Sequence, residues 1–363
     1  MIVDDSVVAR ATLRDAIARV DGLEVAGVAN NGAVALEKLS QIRVDVVVLD
    51  VEMPVMDGLQ TLDVLRARSP NLPVVMFGAG TQTEARVTVE ALCRGATDCV
   101  PKPAGMASRA EAVAYVQREL TPRLLELGAV ERRGKRPRSW SDRQRERSRA
   151  RTGELSESSA ALRLRESGAM LAPRSKVIGI GSSTGGPNAL LQLLAAWPHP
   201  PRVPVLICQH MPPTFTELLA TRIGVRTGFD AAEARHGEVL RPGTVRVAPG
   251  GQHLRVVSGP QGPQVMLEDG PLIHGCRPAV DIMFASLAET YREAVTGVVL
   301  TGMGVDGADG AQHVRDGGGQ VLVQDEASSV VWGMPGAVAR RGLAHRVLGL
   351  DILGGAIRTT VAG

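Results

Sequence analysis

The chain has 363 residues, 44% of them hydrophobic and only 2% aromatic, and a formal net charge of +3. That length favours two domains, with cores built from Val, Leu, Ala, Ile and Met rather than from stacked rings. The small net charge implies no polyanionic partner, and the scarcity of rings argues against a surface that stacks single-stranded nucleic acid. Cys93, Cys99, Cys208 and Cys276 form no Cys-x-x-Cys pair and read as reduced thiols of a cytoplasmic protein. No run approaches the ~18 apolar residues of a membrane span. Met1 leads directly into Ile2-Val3-Asp4-Asp5, so neither membrane insertion nor a signal peptide is expected.

Over positions 1–127 short Val/Leu/Ile runs alternate with amphipathic segments. Residues 44–49 and 73–77 read as strands, and 33–40 and 83–94 as helices. This rhythm predicts a doubly wound, flavodoxin-like parallel sheet. Over 128–173 the character changes. Residues 131–151 hold ten Lys or Arg and almost nothing aliphatic, which predicts a flexible basic linker, with a loose helix at 154–167. From 175 onward strands and helices alternate again. The apolar runs 176–180, 203–208 and 294–300 read as buried strands, each followed by a polar or glycine-rich loop. A second, mostly parallel α/β domain of three layers is expected over 174–363.

Three carboxylates and a lysine fall at strand ends in the first domain. Asp4 and Asp5 follow the stub Met1-Ile2-Val3, Asp50 ends the run 44–49, and Lys102 follows Asp98-Cys99-Val100-Pro101. Residues just past the carboxyl ends of parallel strands share one rim. Clustered carboxylates repel, so such a rim favours a hard cation such as Mg²⁺. With Mg²⁺ and Lys102 balancing charge, Asp50 is placed to act as nucleophile toward a phosphoryl group.

The order Asp-Asp-Ser, then Val-Leu-Asp-x-x-Met-Pro-x-Met-Asp-Gly, then Lys-Pro resembles a response-regulator receiver domain over about residues 1–125. The resemblance implies that Asp50 is the phosphoacceptor and that Asp4, Asp5, Asp50 and the backbone carbonyl of Glu52 hold Mg²⁺. It makes Lys102 the phosphoryl contact and a histidine kinase the phosphodonor. Three positions depart from the family pattern. Gly78 stands where Ser or Thr is usual, Cys99 stands where a switch aromatic is usual, and the first strand is about four residues short.

In the second domain Gly181-Ser182-Ser183-Thr184-Gly185-Gly186 matches the tight strand-to-helix turn that exposes a nucleophilic serine. Pro187 suits a first helical turn, and the N–H groups there favour developing negative charge. A phosphate-binding loop is the competing reading, but this turn carries neither Gly-x-Gly-x-x-Gly nor a Walker lysine followed by Ser or Thr. Ser183, central between Gly181 and Gly185, is the chosen hydroxyl. Of the seven histidines only His210, in Gln209-His210-Met211-Pro212, ends a buried strand; His236 and His253 are reserves. Asp306, in Thr301-Gly302-Met303-Gly304-Val305-Asp306-Gly307, is the candidate third member, with Asp309 as runner-up. The Gly302-Met303-Gly304 loop can offer an N–H to an oxyanion. Such a set gives a hydroxyl its base and the base its orienting carboxylate. The order Ser, His, Asp differs from that of α/β-hydrolases.

With Gln324-Asp325-Glu326-Ala327-Ser328-Ser329-Val330-Val331-Trp332-Gly333-Met334-Pro335, these motifs resemble the chemotaxis protein-glutamate methylesterase family from Ser175 to about Ala356. The domain order is also that family's. The resemblance makes Ser183 the nucleophile, His210 the base and Asp306 its orienter. It puts Thr184 beside the nucleophile and gives Met303 the oxyanion N–H. It implies chemoreceptor γ-glutamyl methyl esters as substrate, with receptor glutamines as a further one, and no cofactor for the ester chemistry. Regulation by the receiver is expected from the fused architecture. Two rival readings are a hydrolase of another signalling system and a receiver-linked binding module with a vestigial esterase.

Overall fold

The computed structural model describes residues 1–78, 82–103, 105–135 and 175–361. The chain divides into two compact units, Met1–Gly134 and Lys135–Gly363.

The first unit alternates β1 (Ile2–Val3), α1 (Val7–Ile17), β2 (Val28–Ala29), α2 (Gly32–Leu39), β3 (Val47–Leu49), α3 (Gly58–Arg68), β4 (Val74–Phe77), α4 (Gln82–Cys93), β5 (Asp98–Val100), α5 (Arg109–Glu119) and α6 (Thr121–Lys135). The sheet order is β2-β1-β3-β4-β5, with every pair parallel. The strands β3 and β4 are buried along their whole length, as continuous Val/Leu/Met/Phe runs covered on both faces must be. The order reverses between β1 and β3, the place where ligands bind in such sheets. Asp4 and Asp50 leave those two strands. The first strand spans only two residues, and the Met1 amino group donates to Val46 O at 2.7 Å. Helix α6 carries the chain through positions 128–135, where the change of composition predicts the start of the linker. The expected helix at 154–167 lies outside the described residues.

The second unit comprises β6 (Val177–Ser182), α7 (Gly186–Ala195), β7 (Val205–Gln209), α8 (Phe215–Thr227), β8 (Asp230–Glu233), β9 (Thr244–Val247), β10 (His253–Gly259), β11 (Gly262–Glu268), α9 (Val280–Tyr291), β12 (Val295–Val299), α10 (Ala308–Asp316), β13 (Gln320–Gln324), α11 (Met334–Arg340), β14 (Arg346–Leu348) and α12 (Leu350–Thr359). Seven strands form one parallel sheet, ordered β14-β13-β12-β6-β7-β9-β8, and β10 pairs with β11 in a separate antiparallel hairpin. The chain builds outward from β6 on one side and then from β12 on the other. The switch point therefore lies between β6 and β12, the strands that lead to Ser183 and Asp306.

The core of this unit is largely aliphatic, with Phe284 as its largest fully buried side chain. Helix α9 lies very close to the sheet. A Cβ at Gly181 would stand 2.4 Å from Val280 Cγ1, so only glycine lets the two backbones approach this far. Strand β6 runs to Ser182, two residues beyond the expected end at 180. Gly181 therefore belongs to the ladder and not to the turn.

Candidate active site and receiver site

Parallel register sets the candidate site of the second unit. Ser182 pairs with Gln209 across β6 and β7, so the next residues, Ser183 and His210, leave the sheet side by side. On the other flank Gly181 pairs with Val299 of β12, and Ser183 N–H donates to Thr301 O at 3.1 Å. The loop after β12 presses on the serine: a Cβ at Gly302 would lie 2.9 Å from Ser183 Cβ.

The three adjacent hydroxyls have different surroundings. Ser182 is fully buried and its Oγ donates to Gln209 Oε1 at 2.7 Å. Thr184 is buried too, and its carbonyl accepts from Thr301 Oγ1 at 3.0 Å. Ser183 is half-buried, and its Oγ has no hydrogen-bond partner among the described residues. It is the hydroxyl open to a ligand.

His210 Nε2 and Asp306 Oδ2 are 2.7 Å apart. Asp306 is buried and fully engaged: Oδ2 also accepts Val280 N–H at 2.7 Å, while Oδ1 accepts Asp281 N–H and Gly307 N–H, each at 2.9 Å. Burial raises the Asp306 pKa, but the His210 hydrogen bond and charge and these N–H groups outweigh it and hold the carboxyl below its usual value. Burial pulls His210 down, yet the Asp306 hydrogen bond and the nearby Cys276 thiol bring it up to about 9. Because Nε2 faces the carboxylate, Nδ1 is the nitrogen left for a hydroxyl proton. No hydrogen bond joins Ser183 to His210 among the described residues; such contacts tighten when substrate binds. Met303 N–H has no partner among the described residues either, which leaves an uncommitted donor in the loop whose Gly302 packs on Ser183. His274, Asp281 and Asp306 come close enough to suggest a cation, but the Asp306 oxygens are already taken by four donors.

The reserve residues are engaged elsewhere. His253 is buried in a structural role, donating from Nε2 to Pro271 O at 2.8 Å and accepting Ala279 N–H at Nδ1 at 3.2 Å. His236 is held to the backbone of Leu267 through Nδ1. Asp309 is exposed and pairs with Arg341 at 2.6 Å. Neither reserve histidine contacts Asp306, and Asp309 does not contact His210.

At the rim of the first unit Lys102 Nζ lies 2.7 Å from Asp50 Oδ2 and 3.0 Å from Asp4 Oδ2. Burial pushes Asp50 up and Asp4 adds to this, while Lys102 opposes it; the carboxyl stands at about 6. Asp4, Asp5 and Asp50 can each turn a carboxylate oxygen to a common centre. The buried Asp4 Oδ2 faces Lys102 but has no hydrogen-bond partner among the described residues, which leaves a lone pair for a hard cation. The Glu52 carbonyl accepts no hydrogen bond among them. These residues fit Mg²⁺. A Cβ at Gly78 would stand 3.6 Å from Asp50 Oδ1, so this is the position from which a hydroxyl would reach the acceptor. Cys99 is buried, and its thiol is pushed well above the usual range by that burial.

The family model described as CheB methylesterase matches residues 178–357, and the response regulator receiver domain model matches residues 1–114. The chain is 42% identical over 355 residues to the protein-glutamate methylesterase/protein-glutamine glutaminase of Trichodesmium erythraeum, covering 97% of this chain and 96% of that one. It is 43% identical over 354 residues to the Nocardioides sp. protein of the same name, covering 98% and 93%. The chain belongs to the CheB methylesterase family. The crystal structure of the Thermotoga maritima CheB methylesterase catalytic domain aligns with a TM-score of 0.50 and 37% identity, covering 52% of this chain and 99% of that domain. No described helix is long and apolar enough to cross a membrane.

Within this CheB-family fold, sequence reasoning missed two residues at the site. Asp281 and Cys276 lie beside Asp306 and His210 but leave no strand end. Their only signal was the clustering of His274, Cys276 and Asp281 within a few positions.

Proposed function

We propose that the chain hydrolyses γ-glutamyl methyl esters of chemoreceptors to glutamate and methanol in the cytoplasm. The His210–Asp306 pair, in register with the open hydroxyl of Ser183, carries this reading. In the first half-reaction His210 Nδ1 takes the Ser183 proton as Oγ attacks the ester carbonyl. Met303 N–H faces the developing oxyanion, and Thr184 flanks the nucleophile in the buried turn. The tetrahedral adduct collapses as the imidazolium returns its proton to the departing methoxide, giving methanol and an acyl-serine. In the second half-reaction His210 takes a proton from water. The resulting hydroxide attacks the acyl carbon, and the proton passes to Ser183 as glutamate leaves. Asp306 stays ionised throughout and stabilises the imidazolium. A receptor glutamine enters the same sequence with ammonia leaving.

The receiver half would regulate this activity through phosphorylation of Asp50 by a histidine kinase. Asp4, Asp5, Asp50 and the Glu52 carbonyl would hold Mg²⁺, which neutralises charge on the transferring phosphoryl group when bound. Lys102 would contact that group.

Ser183→Ala tests the esterase reading. Methanol release from methylated receptor membranes should fall by about 10⁴-fold or more. Near-normal release from this variant would remove Ser183 from the mechanism, and no release from the native chain would point to another substrate.

A further inference from the structure

Two helices start beside the catalytic carboxylate, and neither caps itself. Ala279 precedes α9 and Gly307 precedes α10; neither has a side chain able to accept from the first turn. Each helix instead borrows an acid from the other segment. Asp306 accepts the Val280 and Asp281 N–H groups of α9. Asp281 Oδ1 accepts Gly307 N–H at 2.9 Å and Gly310 N–H at 2.6 Å at the start of α10. The Gly307 N–H is shared, because it also points at Asp306 Oδ1 at 2.9 Å. Gly310 makes this exchange possible, since a Cβ there would fall 2.9 Å from Asp281 Cα.

The remaining oxygen of Asp281, Oδ2, lies 3.1 Å from His274 Nε2. Asp281 thus uses one oxygen on the α10 turn and the other on a histidine at the surface. The ionisable groups around it are Asp306 and Asp309 as acids and His274 in contact, with His210 beyond Asp306. The thiols of Cys208 and Cys276 lie farther into the same region.

We propose that Asp281 is a positioning residue for ester hydrolysis, fixing Asp306 against His210 through this reciprocal cap. The proposal rests on the esterase reading above. If Asp281 is removed, Gly307 and Gly310 lose an acceptor and the α10 turn that carries Asp306 is free to shift. Displacement of an orienting group by about 1 Å costs on the order of 10²-fold in rate.

The test compares Asp281→Ala with Asp281→Asn in the full chain. Asn keeps an oxygen for Gly307 and Gly310 but has no charge. The Ala variant should lose about 10- to 100-fold in kcat with KM nearly unchanged, and Asn should restore most of it. In parallel the His210 imidazole is titrated by ¹⁵N NMR, its resonance assigned by its loss in His210→Gln. Its pKa should fall further in Ala than in Asn, because Ala loosens the Asp306 bond and both remove the Asp281 charge. A folded Ala variant with native kcat and native His210 titration overturns the proposal. Equal losses of kcat in Ala and Asn also overturn it, since charge and not position would then be the cause. If the native chain releases no methanol, the esterase reading fails, yet the NMR comparison still decides whether Asp281 positions Asp306.

Discussion

His210 sets the pH dependence of the proposed reaction. A general base must be neutral to accept a proton, and this imidazole holds its proton up to about pH 9. At pH 7 only about one ring in a hundred is neutral. Methanol release should therefore rise about tenfold per pH unit through neutrality and level off near pH 9. Asp306→Asn removes the main force that raises this pKa, so the rising limb should move to lower pH while the rate drops about 10⁴-fold. Rates measured across this range on the native chain check the first point, and a midpoint at the ordinary histidine value would refute it. Ser183, His210 and Asp306 are legible in the sequence for one reason: each follows an apolar run, and parallel strands deliver such residues to one rim. Asp281 is not legible in the same way. Its role arises where the first turns of two helices meet, and no periodicity announces which carboxylate will cap a neighbour's turn. The choice between Ser182 and Ser183 rested on the glycine spacing. The structure gives it a physical basis, since Ser182 turns inward to Gln209.

At the scale of elements, the approach of α9 to β6 holds the site together. Val280 contributes both the side chain that fills the space over Gly181 and the N–H that binds Asp306. A methyl group at Gly181 would meet Val280 Cγ1 at 2.4 Å and Cγ2 at 2.7 Å. Contacts this short force the helix or the valine to move. Gly181→Ala should cost about 1–3 kcal/mol in urea unfolding and also slow methanol release, because the displaced helix start carries Asp306's donors. Val280→Ala in the same chain should recover part of both losses, whereas loss of stability with full activity would separate the helix from the site. Strand and helix cores are legible from the Val/Leu/Ile runs, and the departures fall at element ends. Strand β6 gains Gly181 and Ser182 because ladder bonds to β7 and β12 outweigh the poor strand propensity of glycine. Helix α6 continues through positions 128–135 because helix propagation needs only backbone bonds once a turn exists. The boundary expected at 127 falls just ahead of the basic run 131–151, where aliphatic residues are nearly absent.

For the whole molecule, the proposed regulation requires that phosphorylation of Asp50 reach the esterase. The acids and Lys102 of the receiver unit are assembled, but Gly78 offers no hydroxyl and Cys99 no ring. Phosphorylation does not depend on either residue to change the local charge. An acyl phosphate at Asp50 would carry about −1.5 to −2 charges where the ionised carboxylate carries −1, and the oxygen that now sits 2.7 Å from Lys102 would be esterified or displaced. Such a change would rearrange the Lys102–Asp50–Asp4 contacts even with Gly78 and Cys99 in place. Full-length chain given acetyl phosphate and Mg²⁺ should release methanol several-fold faster, a response absent from Asp50→Asn. A chain starting near residue 170 should match or exceed the stimulated rate if the unphosphorylated receiver restrains the esterase. Such a fragment is a reasonable protein to make, since the Thermotoga maritima catalytic domain, which aligns over 99% of its length, was crystallised as a domain. Rates that are steady with phosphodonor, and equal in fragment and full chain, would refute the restraint. The receiver would then act as a tether, and Gly78 and Cys99 would mark the loss of its read-out.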